Sequence, residues 1–506
     1  MSQAQKLPVI YVRGFAGGQS GIDSAVADPF LGFNAGSTHI RIGPDNKPSF
    51  YQFESPLLRL MVDEGYQLLV QGNQETYLDT HAEVPAHTIW IHRFYDPSAS
   101  TWGGTPKEFR VEDAAQDLLE LIDELRAKAH VDRVHLVAHS MGGLICRCLL
   151  QKLLPERGIE PTARVAKLFT YGTPHGGISF DVGFGMLERL RDAIGINGAD
   201  IFGRERMYQY LTPGATPGAE PPGNWDPRAM PADGEPFAFP RRQVFCLVGT
   251  NPGDYDVAHG LSSAAVGPRS DGLVQIDNAY VPGAFCAYVH RSHSGRYGLV
   301  NSEEGYQNLR RFLFGGLKVE SALVRYRLPE EENTVWQAEV GLSIRGLQIV
   351  MHERSSDQWC PIQLDGDTPS GADDERAVPL VSTFLCENLA SPNGAGALRY
   401  ALHLRVLSLR ERDNGFLDFR DHIERTADFD DILIVDVSGD AGVPALRATW
   451  NSDIVGPISD YRPAGLELAD DDPASGRWIS YIPLPESTTT ILGEDARIRL
   501  AVSDWS

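Results

Sequence analysis

The sequence predicts an α/β protein whose first part holds a doubly wound, mostly parallel sheet and whose last part is an antiparallel β-sandwich. Short apolar strands alternate with amphipathic helices over the first part, the pattern of a parallel sheet covered by helices on both faces. A long insertion rich in Pro and Gly interrupts this pattern. Beyond Gly316, partly alternating strands follow one another without a strong helix, which is typical of a sandwich.

Length and charge favour a division into two domains. The chain has 506 residues, more than one hydrophobic core usually supports. From Leu317 onward there are 17 basic and 33 acidic residues, a net charge of −16 within a total of −23. We therefore expect a domain of residues 1–316 and an acidic, β-rich domain of residues 317–506. Such a negative chain disfavours nucleic acid as a partner.

The helices and strands of the first part place its loops at one edge of the sheet. The clearest helix is VEDAAQDLLELIDELRAKA, with a buried stripe predicted at Ala115, Leu118, Leu119, Ile122 and Leu125. The stretches LPVIYVRGF, RVHLVAH, VAKLFTY and RRQVFCLVGT are typical of strands. The loops that follow them leave the carboxyl edge, where open α/β sheets bind their ligands.

One serine stands at a sharp bend between a strand and a helix. In VHLVAHSMGGLICR, the strand ends at His139 and the helix begins after Ser140, with Ala138 and Gly142 as the small flanking residues. This order matches a nucleophile elbow, which exposes the serine oxygen above the sheet. Ser140 is therefore the candidate nucleophile.

A serine nucleophile needs a base to accept its proton and an acid to orient that base. The chain order in this architecture is serine, acid, histidine. Asp271 precedes Gly272 in a predicted tight turn, and His293 lies in a polar loop before the last helix of the first part. Asp254, which also follows a late strand, stays open as an alternative acid.

Four motifs in this order resemble α/β-hydrolase lipases and esterases, including the PGAP1-like branch: LVAHSMGG, YGTPHGG, SDGLVQIDNA and HRSHSGRYGLVNSEEGYQNLRRFLFG. The resemblance covers residues 7–315. It implies that Ser140 is the nucleophile, Asp271 the orienting acid and His293 the base. It also implies an oxyanion hole made by the backbone N–H groups of Phe15 and Met141. The chain departs from the family at Arg13-Gly14, where His-Gly is usual, and at Ala138, where Gly is usual.

The insertion, residues 178–240, is predicted to be a lid or cap over the active edge. Its first part is helical in pattern, and its second part is too rich in Pro and Gly for regular structure. Met186, Leu187 and Leu190 are candidate lid contacts, with ordinary helix core as the alternative. A lid favours a bulky or apolar acyl substrate.

No organic cofactor and no metal is expected. The acidic runs DFDD and DDD match no calcium-binding loop, which favours a solvated acidic surface. A structural calcium ion stays possible, but no ligands are assigned. The start of the chain lacks an uninterrupted apolar signal segment, and no stretch has the roughly 20 apolar residues of a membrane span. We expect a cytoplasmic location, or export by a specialised secretion system. The partner of the C-terminal domain is unknown.

These features together predict a serine hydrolase that cleaves carboxylic esters, with acylglycerol or phospholipid esters as the expected substrates. Two alternatives remain open at this point. The same triad could transfer the acyl group to an alcohol, or the fold could serve as a non-catalytic binding protein.

Overall fold

The computed structural model describes most of the chain. The described residues are 6–14, 22–23, 26–27, 37–42, 48–53, 56–69, 74–100, 107–178, 201–255, 267–295, 297–329, 334–364, 377–386, 397–410, 425–440, 443–456, 464–466, 469–472 and 476–505. The predicted lid contacts Met186, Leu187 and Leu190, and the predicted oxyanion residue Phe15, lie outside these ranges.

Strands and helices alternate through the first part of the chain. In order they are β1 (Val9–Val12), β2 (Ser37–Ile42), β3 (Pro48–Phe53), α1 (Pro56–Glu64), β4 (Gln67–Leu68), α2 (Gln74–Thr80), β5 (Thr88–His92), α3 (Val111–Ala129), β6 (Val134–His139), α4 (Met141–Cys148), β7 (Val165–Tyr171), α5 (Arg204–Leu211), β8 (Val244–Gly249), β9 (Phe285–Val289) and α6 (Glu303–Phe314). Helix α4 continues through a π-helical turn, Leu149–Leu153.

Seven of these strands form one sheet in the order β4-β5-β1-β6-β7-β8-β9. The pairs from β4 to β8 run parallel. Strand β1 lies between β5 and β6, so the chain changes direction along the sheet at β1. A crevice opens at such a switch point outside the carboxyl ends of the strands. The turns after β1 and β6 are therefore neighbours, and they carry Gly14 and Ser140.

The stripe predicted for VEDAAQDLLELIDELRAKA is confirmed. Helix α3 buries Ala115, Leu118, Leu119, Ile122 and Leu125 in the core beside the sheet. The stripe follows the helical period, while Glu112 and Asp113 occupy the first turn, where they interact favourably with the helix dipole.

The last part of the chain is made of antiparallel strands. These are β10 (Leu317–Val324), β11 (Thr334–Ile344), β12 (Val350–Arg354), β13 (Ile362–Leu364), β14 (Val378–Leu385), β15 (Leu398–Arg410), β16 (Arg425–Asp440), β17 (Val443–Trp450), β18 (Ala464–Gly465), β19 (Ala469–Asp472), β20 (Arg477–Pro483) and β21 (Arg497–Asp504), with the short helix α7 (Thr489–Leu492) before β21. One sheet has the order β14-β10-β21-β20-β19, and the other has the order β12-β11-β15-β16-β17-β18, with β13 beside β11.

Apolar side chains from both of these sheets share one core. Val319 and Leu500 from the first sheet and Val340, Leu404 and Val435 from the second belong to the same buried cluster. Alternate residues of β11, β15 and β21 face that core, as expected for two packed antiparallel sheets. The predicted fold class, a parallel α/β sheet followed by an antiparallel sandwich, is therefore confirmed.

The chain divides into two compact units, Met1–Cys286 with His290–Leu309, and Ala287–Val289 with Arg310–Ser506. Among the described residues, no helix combines the length and the apolar character needed to cross a bilayer.

Candidate active site

Ser140 occupies the bend between β6 and α4 in a backbone conformation that serine rarely adopts. Its φ and ψ are 53° and −129°. Positive φ in a residue with a Cβ costs on the order of 1–3 kcal/mol, so the surrounding contacts must fix it. The N–H of Ser140 donates to the Tyr171 carbonyl at 2.9 Å. The Thr173 hydroxyl donates to the Ser140 carbonyl at 2.8 Å.

The loop after β1 runs against the nucleophile. A Cβ atom placed on Gly14 would lie 2.6 Å from the Ser140 Cβ and 3.0 Å from the His139 carbonyl oxygen. No side chain fits in that space, so glycine is required for the close approach. Phe15 follows directly in the sequence, but it lies outside the described residues. The structure therefore gives no position for its N–H group.

The structure brings Ser140, His293 and Asp271 together. The Ser140 Oγ lies 2.9 Å from His293 Nε2, and His293 Nδ1 lies 2.8 Å from Asp271 Oδ2. An ionised carboxylate can only accept, so the Nδ1–H group donates to Asp271. His293 Nε2 then has a free lone pair to accept the Ser140 hydroxyl proton. All three side chains are buried, with exposures of 4%, 2% and 1% for Ser140, His293 and Asp271.

Asp271 is held in place by its own turn. Its Oδ1 accepts the N–H groups of Leu273 at 3.0 Å and Val274 at 2.8 Å, which leaves Oδ2 for the histidine. The backbone N–H of His293 also donates to the Asp271 carbonyl at 2.8 Å. The acid and the histidine are therefore joined through both side chain and main chain.

Gly172, just after β7, provides space for this pair. A Cβ there would lie 3.0 Å from Asp271 Oδ2 and 3.2 Å from His293 Nδ1, and the φ of Gly172 is +50°. Both the conformation and the space favour glycine at this position.

The alternative acid, Asp254, accepts a hydrogen bond from Asn251 Nδ2 at 2.7 Å.

Two residues beside the base were not given a role in the active site by the motifs. His139 Nε2 lies 3.0 Å from the His293 carbonyl oxygen, so this nitrogen carries the proton and donates it. Burial, together with the neighbouring His293, lowers the pKa of His139 to about 3, so its ring is neutral at neutral pH. Tyr255 meets the His293 ring edge to face at 5.7 Å. Tyr255 belongs to none of the recognised motifs, so the sequence does not indicate this contact.

Met141 is the first residue of α4, directly after the nucleophile. The first N–H groups of a helix have no partner within the helix and carry partial positive charge. Such a group next to Ser140 can stabilise negative charge that develops on an oxygen bonded to the serine.

The second half of the predicted cap is packed against the rest of its unit. Helix α5 buries Met207 and Tyr210 in the main core. Arg206 forms two hydrogen bonds with Glu112 at 2.7 and 2.6 Å. The buried Arg147 of α4 donates to the Ala229 carbonyl at 2.8 Å. Residues 201–240 are thus packed against the rest of this unit, and the lid or cap of residues 178–240 over the active edge stays a prediction.

No metal site was found in the part of the chain that the structure describes, where no three His, Cys, Asp or Glu side chains converge on one point. Two carboxylates of the acidic run near residue 430 already have protein partners. Asp428 accepts the Ser408 N–H at 2.7 Å, and Asp431 accepts the Ser452 hydroxyl at 2.6 Å. The side chains of the candidate site are suited to acid–base and nucleophilic chemistry.

A family model described as the alpha/beta hydrolase fold matches residues 91–187, which include Ser140. This match agrees with the parallel sheet and with the elbow after β6. The chain has the α/β-hydrolase fold. The unit with this fold contains all three hydrogen-bonded side chains, Ser140, His293 and Asp271.

Comparisons of whole structures give distant similarities. A mature lipase of Bacillus licheniformis is 15% identical with a TM-score of 0.33, covering 61% of this chain and 91% of that one. A gene product of Listeria innocua is 14% identical with a TM-score of 0.26, covering 61% of this chain and 94% of that one. A search of curated protein sequences found no match.

Proposed function

We propose that this protein is a serine hydrolase that cleaves carboxylic esters through an acyl-enzyme on Ser140. The observation that carries the proposal is the continuous hydrogen-bonded chain from Ser140 Oγ through His293 to Asp271, at 2.9 and 2.8 Å. A serine hydroxyl is a weak nucleophile at neutral pH, and a base within hydrogen-bond reach supplies the activation it needs.

The reaction follows from this geometry. Ser140 Oγ bonds to the acyl carbon while its proton passes to His293 Nε2, and Asp271 stabilises the resulting imidazolium. The tetrahedral intermediate then collapses, the bond to the alcohol breaks, and His293 returns the proton to the leaving oxygen. Water next gives a proton to His293 and attacks the acyl-enzyme. The carboxylic acid leaves and Ser140 regains its hydrogen.

The oxyanion of the tetrahedral intermediate needs donors near Ser140. We assign this role to the backbone N–H groups of Met141 and Phe15. The position of Met141 at the start of α4 supports the first assignment, and the close approach of Gly14 to Ser140 supports the second. Loss of one such donor typically costs about 3 kcal/mol of transition-state stabilisation.

The finer proposal is that the acyl group belongs to a lipid, in an acylglycerol or a phospholipid. Its support is the insertion beside the active edge, whose second half packs against α3 and α4 through Arg206 and Arg147. Such an insertion provides surface that can cover a long acyl chain and exclude water from the reaction.

The test is hydrolysis of p-nitrophenyl esters from acetate to palmitate by the full chain and by Ser140→Ala, with detergent present in parallel samples. The wild type should release p-nitrophenol and Ser140→Ala should not, with a preference for longer acyl chains if the substrate is a lipid. Equal inactivity of both proteins in all samples would overturn the proposal. Product analysis with glycerol present distinguishes hydrolysis from acyl transfer, because transfer yields a glycerol ester.

A further inference from the structure

A tryptophan of the sandwich combines high exposure with a strained backbone. Trp359 lies in the turn between β12 and β13, is 52% exposed, and has a φ of 58°. The left-handed region costs a bulky residue roughly 1–2 kcal/mol, and glycine or asparagine normally occupies it. An exposed indole at such a position contributes little to the core. Strained residues cluster at active sites, ligand clamps and switch regions, so an exposed outlier suggests a functional role.

The turn around Trp359 is fixed by hydrogen bonds. The Ser355 carbonyl accepts the N–H groups of Gln358 at 3.3 Å and Cys360 at 3.0 Å. The guanidinium of Arg354 donates to the Cys360 carbonyl at 2.9 Å. These contacts hold the backbone on both sides of the tryptophan, so the indole is presented from a rigid support.

This turn lies over the outer face of the sheet that contains β11. Glu339 stands between the core residues Ala338 and Val340, so its side chain points away from the core. Its Oε1 accepts the Ser356 N–H at 2.8 Å. Gln358 donates to Glu353, the partner of Gly341 on the same face, at 2.5 Å. Both anchors therefore hold the turn on this face.

A row of charged groups crosses the same face. Glu339 pairs in register with Arg405, and Arg405 with Asp430. Arg405 donates to Glu339 Oε2 at 2.6 Å and lies 3.2 Å from Asp430 Oδ2, while His403 Nε2 lies 2.6 Å from Asp430 Oδ1. The side chains of Arg405, His403 and Asp430 are 34%, 44% and 50% exposed. They form ordered, solvent-accessible donors and acceptors.

Gly341 leaves a shallow floor beside this row. It is paired with His403, and a Cβ placed on it would lie 3.6 Å from the His403 Cβ and 4.0 Å from a Val350 methyl carbon. Val350 is 42% exposed. The face thus combines an exposed apolar side chain at Val350, open surface at Gly341 and the hydrogen-bonding groups of the charged row.

We infer that this outer face, formed by Trp359, Gly341, Val350, His403, Arg405 and Asp430, binds a neutral carbohydrate chain. A pyranose ring has an apolar face that packs on an indole and hydroxyl groups that both donate to carboxylates and accept from guanidinium groups. The net charge of −16 from residue 317 onward opposes anionic lipid surfaces and polyanions. Trp359 is also flanked by the exposed Asp357, which does not suit insertion into hydrocarbon. This inference is independent of the role of Ser140.

Affinity electrophoresis tests the inference directly. The full chain is run through native gels that contain soluble β-glucan, xylan, galactomannan or pullulan, beside gels without polysaccharide. We expect one of these polymers to retard the wild type. Trp359→Gly should weaken that retardation at least about tenfold, since stacked aromatics at binding sites commonly contribute more than 1.4 kcal/mol. Glycine accepts a φ of 58°, so the thermal midpoint of this variant should not fall.

The matched control is Val62→Ala, which shortens an exposed apolar side chain of α1 in the first unit, 74% exposed. It should behave as the wild type, and Trp359→Tyr should retain part of the retardation. Migration unaffected by all four polymers would overturn the inference, as would equal retardation of the wild type and Trp359→Gly. Retention on phosphatidylcholine vesicles that depends on Trp359, without retardation by any polymer, would replace the carbohydrate with a lipid surface.

Discussion

The imidazole of His139 is hydrogen-bonded to the main chain of His293, with 3.0 Å between His139 Nε2 and the His293 carbonyl oxygen. On its other side, His139 Nδ1 faces the loop after β1, where a Cβ on Gly14 would lie 3.2 Å away. His139 therefore holds the backbone of His293 by a hydrogen bond and lies against the loop that leads to Phe15. In this chain Arg13 stands where the resembled family usually has histidine, and His139 lies beside the same loop.

Removing this hydrogen bond should slow catalysis without weakening substrate binding. His139→Leu deletes the donor to the His293 carbonyl, so we expect kcat to fall about tenfold to a hundredfold with KM nearly unchanged. His139→Gln keeps an N–H donor and should recover most of the loss. Steady-state kinetics of the three proteins measure this. A purely structural role would instead lower the thermal midpoint of His139→Leu while its kcat stayed near the wild-type value.

The two candidate acids can be separated by isosteric substitution. Asp271→Asn removes the acceptor that fixes the His293 tautomer, and we expect kcat to fall by about three to four orders of magnitude. Asp254→Asn is the matched control, because Asp254 accepts a hydrogen bond from Asn251. Its kcat should stay within about threefold of the wild type. The reverse ranking of the two variants would assign the acid to Asp254.

The strain at Ser140 predicts a difference between two inactive variants. Ser140→Ala keeps a Cβ at a φ of 53°, whereas Ser140→Gly relieves the strain. We expect the free energy of unfolding of Ser140→Gly to exceed that of Ser140→Ala by about 1 kcal/mol, after the entropy cost of glycine. Urea unfolding of both variants gives the comparison. If Ser140→Gly is the less stable variant, the elbow does not hold the serine under strain.

Buried neutral histidines predict a loss of stability on acidification. Burial lowers the pKa of His92 to about 4, while the unfolded chain retains the ordinary value of 6.5. Between these two values the unfolded state binds a proton that the folded state does not bind, so stability falls as the pH falls. For His92 alone the loss between pH 7 and pH 5 is about 2 kcal/mol.

His92→Gln tests this contribution, because glutamine can still donate to the Ala114 carbonyl that His92 Nε2 contacts at 2.9 Å. Urea unfolding at both pH values should show a smaller acid-induced loss in the variant, by about 2 kcal/mol. His130→Gln, at an exposed histidine, is the control and should leave the loss unchanged. Identical losses in the wild type and His92→Gln would mean that His92 titrates normally in the fold.

The sequence was most informative where chemistry restricts the residue types. The elbow requires a serine between small residues, and the order of serine, acid and histidine follows from the topology of the sheet. Local periodicity predicts the strand β6, which ends just before Ser140, and the buried stripe of α3. Position after a late strand left Asp254 open beside Asp271, and only the resemblance to a family favoured Asp271. The separation depends on the turn that directs Asp271 Oδ2 toward His293.

Periodicity was less informative where tertiary packing determines the outcome. In α1, Leu57, Leu58, Met61 and Val62 lie on one side at the helical period, but the structure does not bury that side. Leu57 and Leu60 are buried, while Leu58, Met61 and Val62 are exposed at 46%, 38% and 74%. A short helix with apolar residues around its whole surface does not specify which face meets the core. The strained turn of Trp359 likewise depends on Glu339 and Arg354, which are distant from any recognisable motif.

The central claim is that His293 and Asp271 activate Ser140. Labelling by an alkyl fluorophosphonate, followed by intact and peptide mass spectrometry, tests it most directly. The serine oxygen displaces fluoride from phosphorus, and its proton passes to His293, so only an activated serine reacts at a useful rate. The account predicts one adduct per chain on the peptide containing Ser140, and none in His293→Ala or Ser140→Ala. Absence of an adduct on the wild type, or equal labelling of the wild type and His293→Ala, would contradict it.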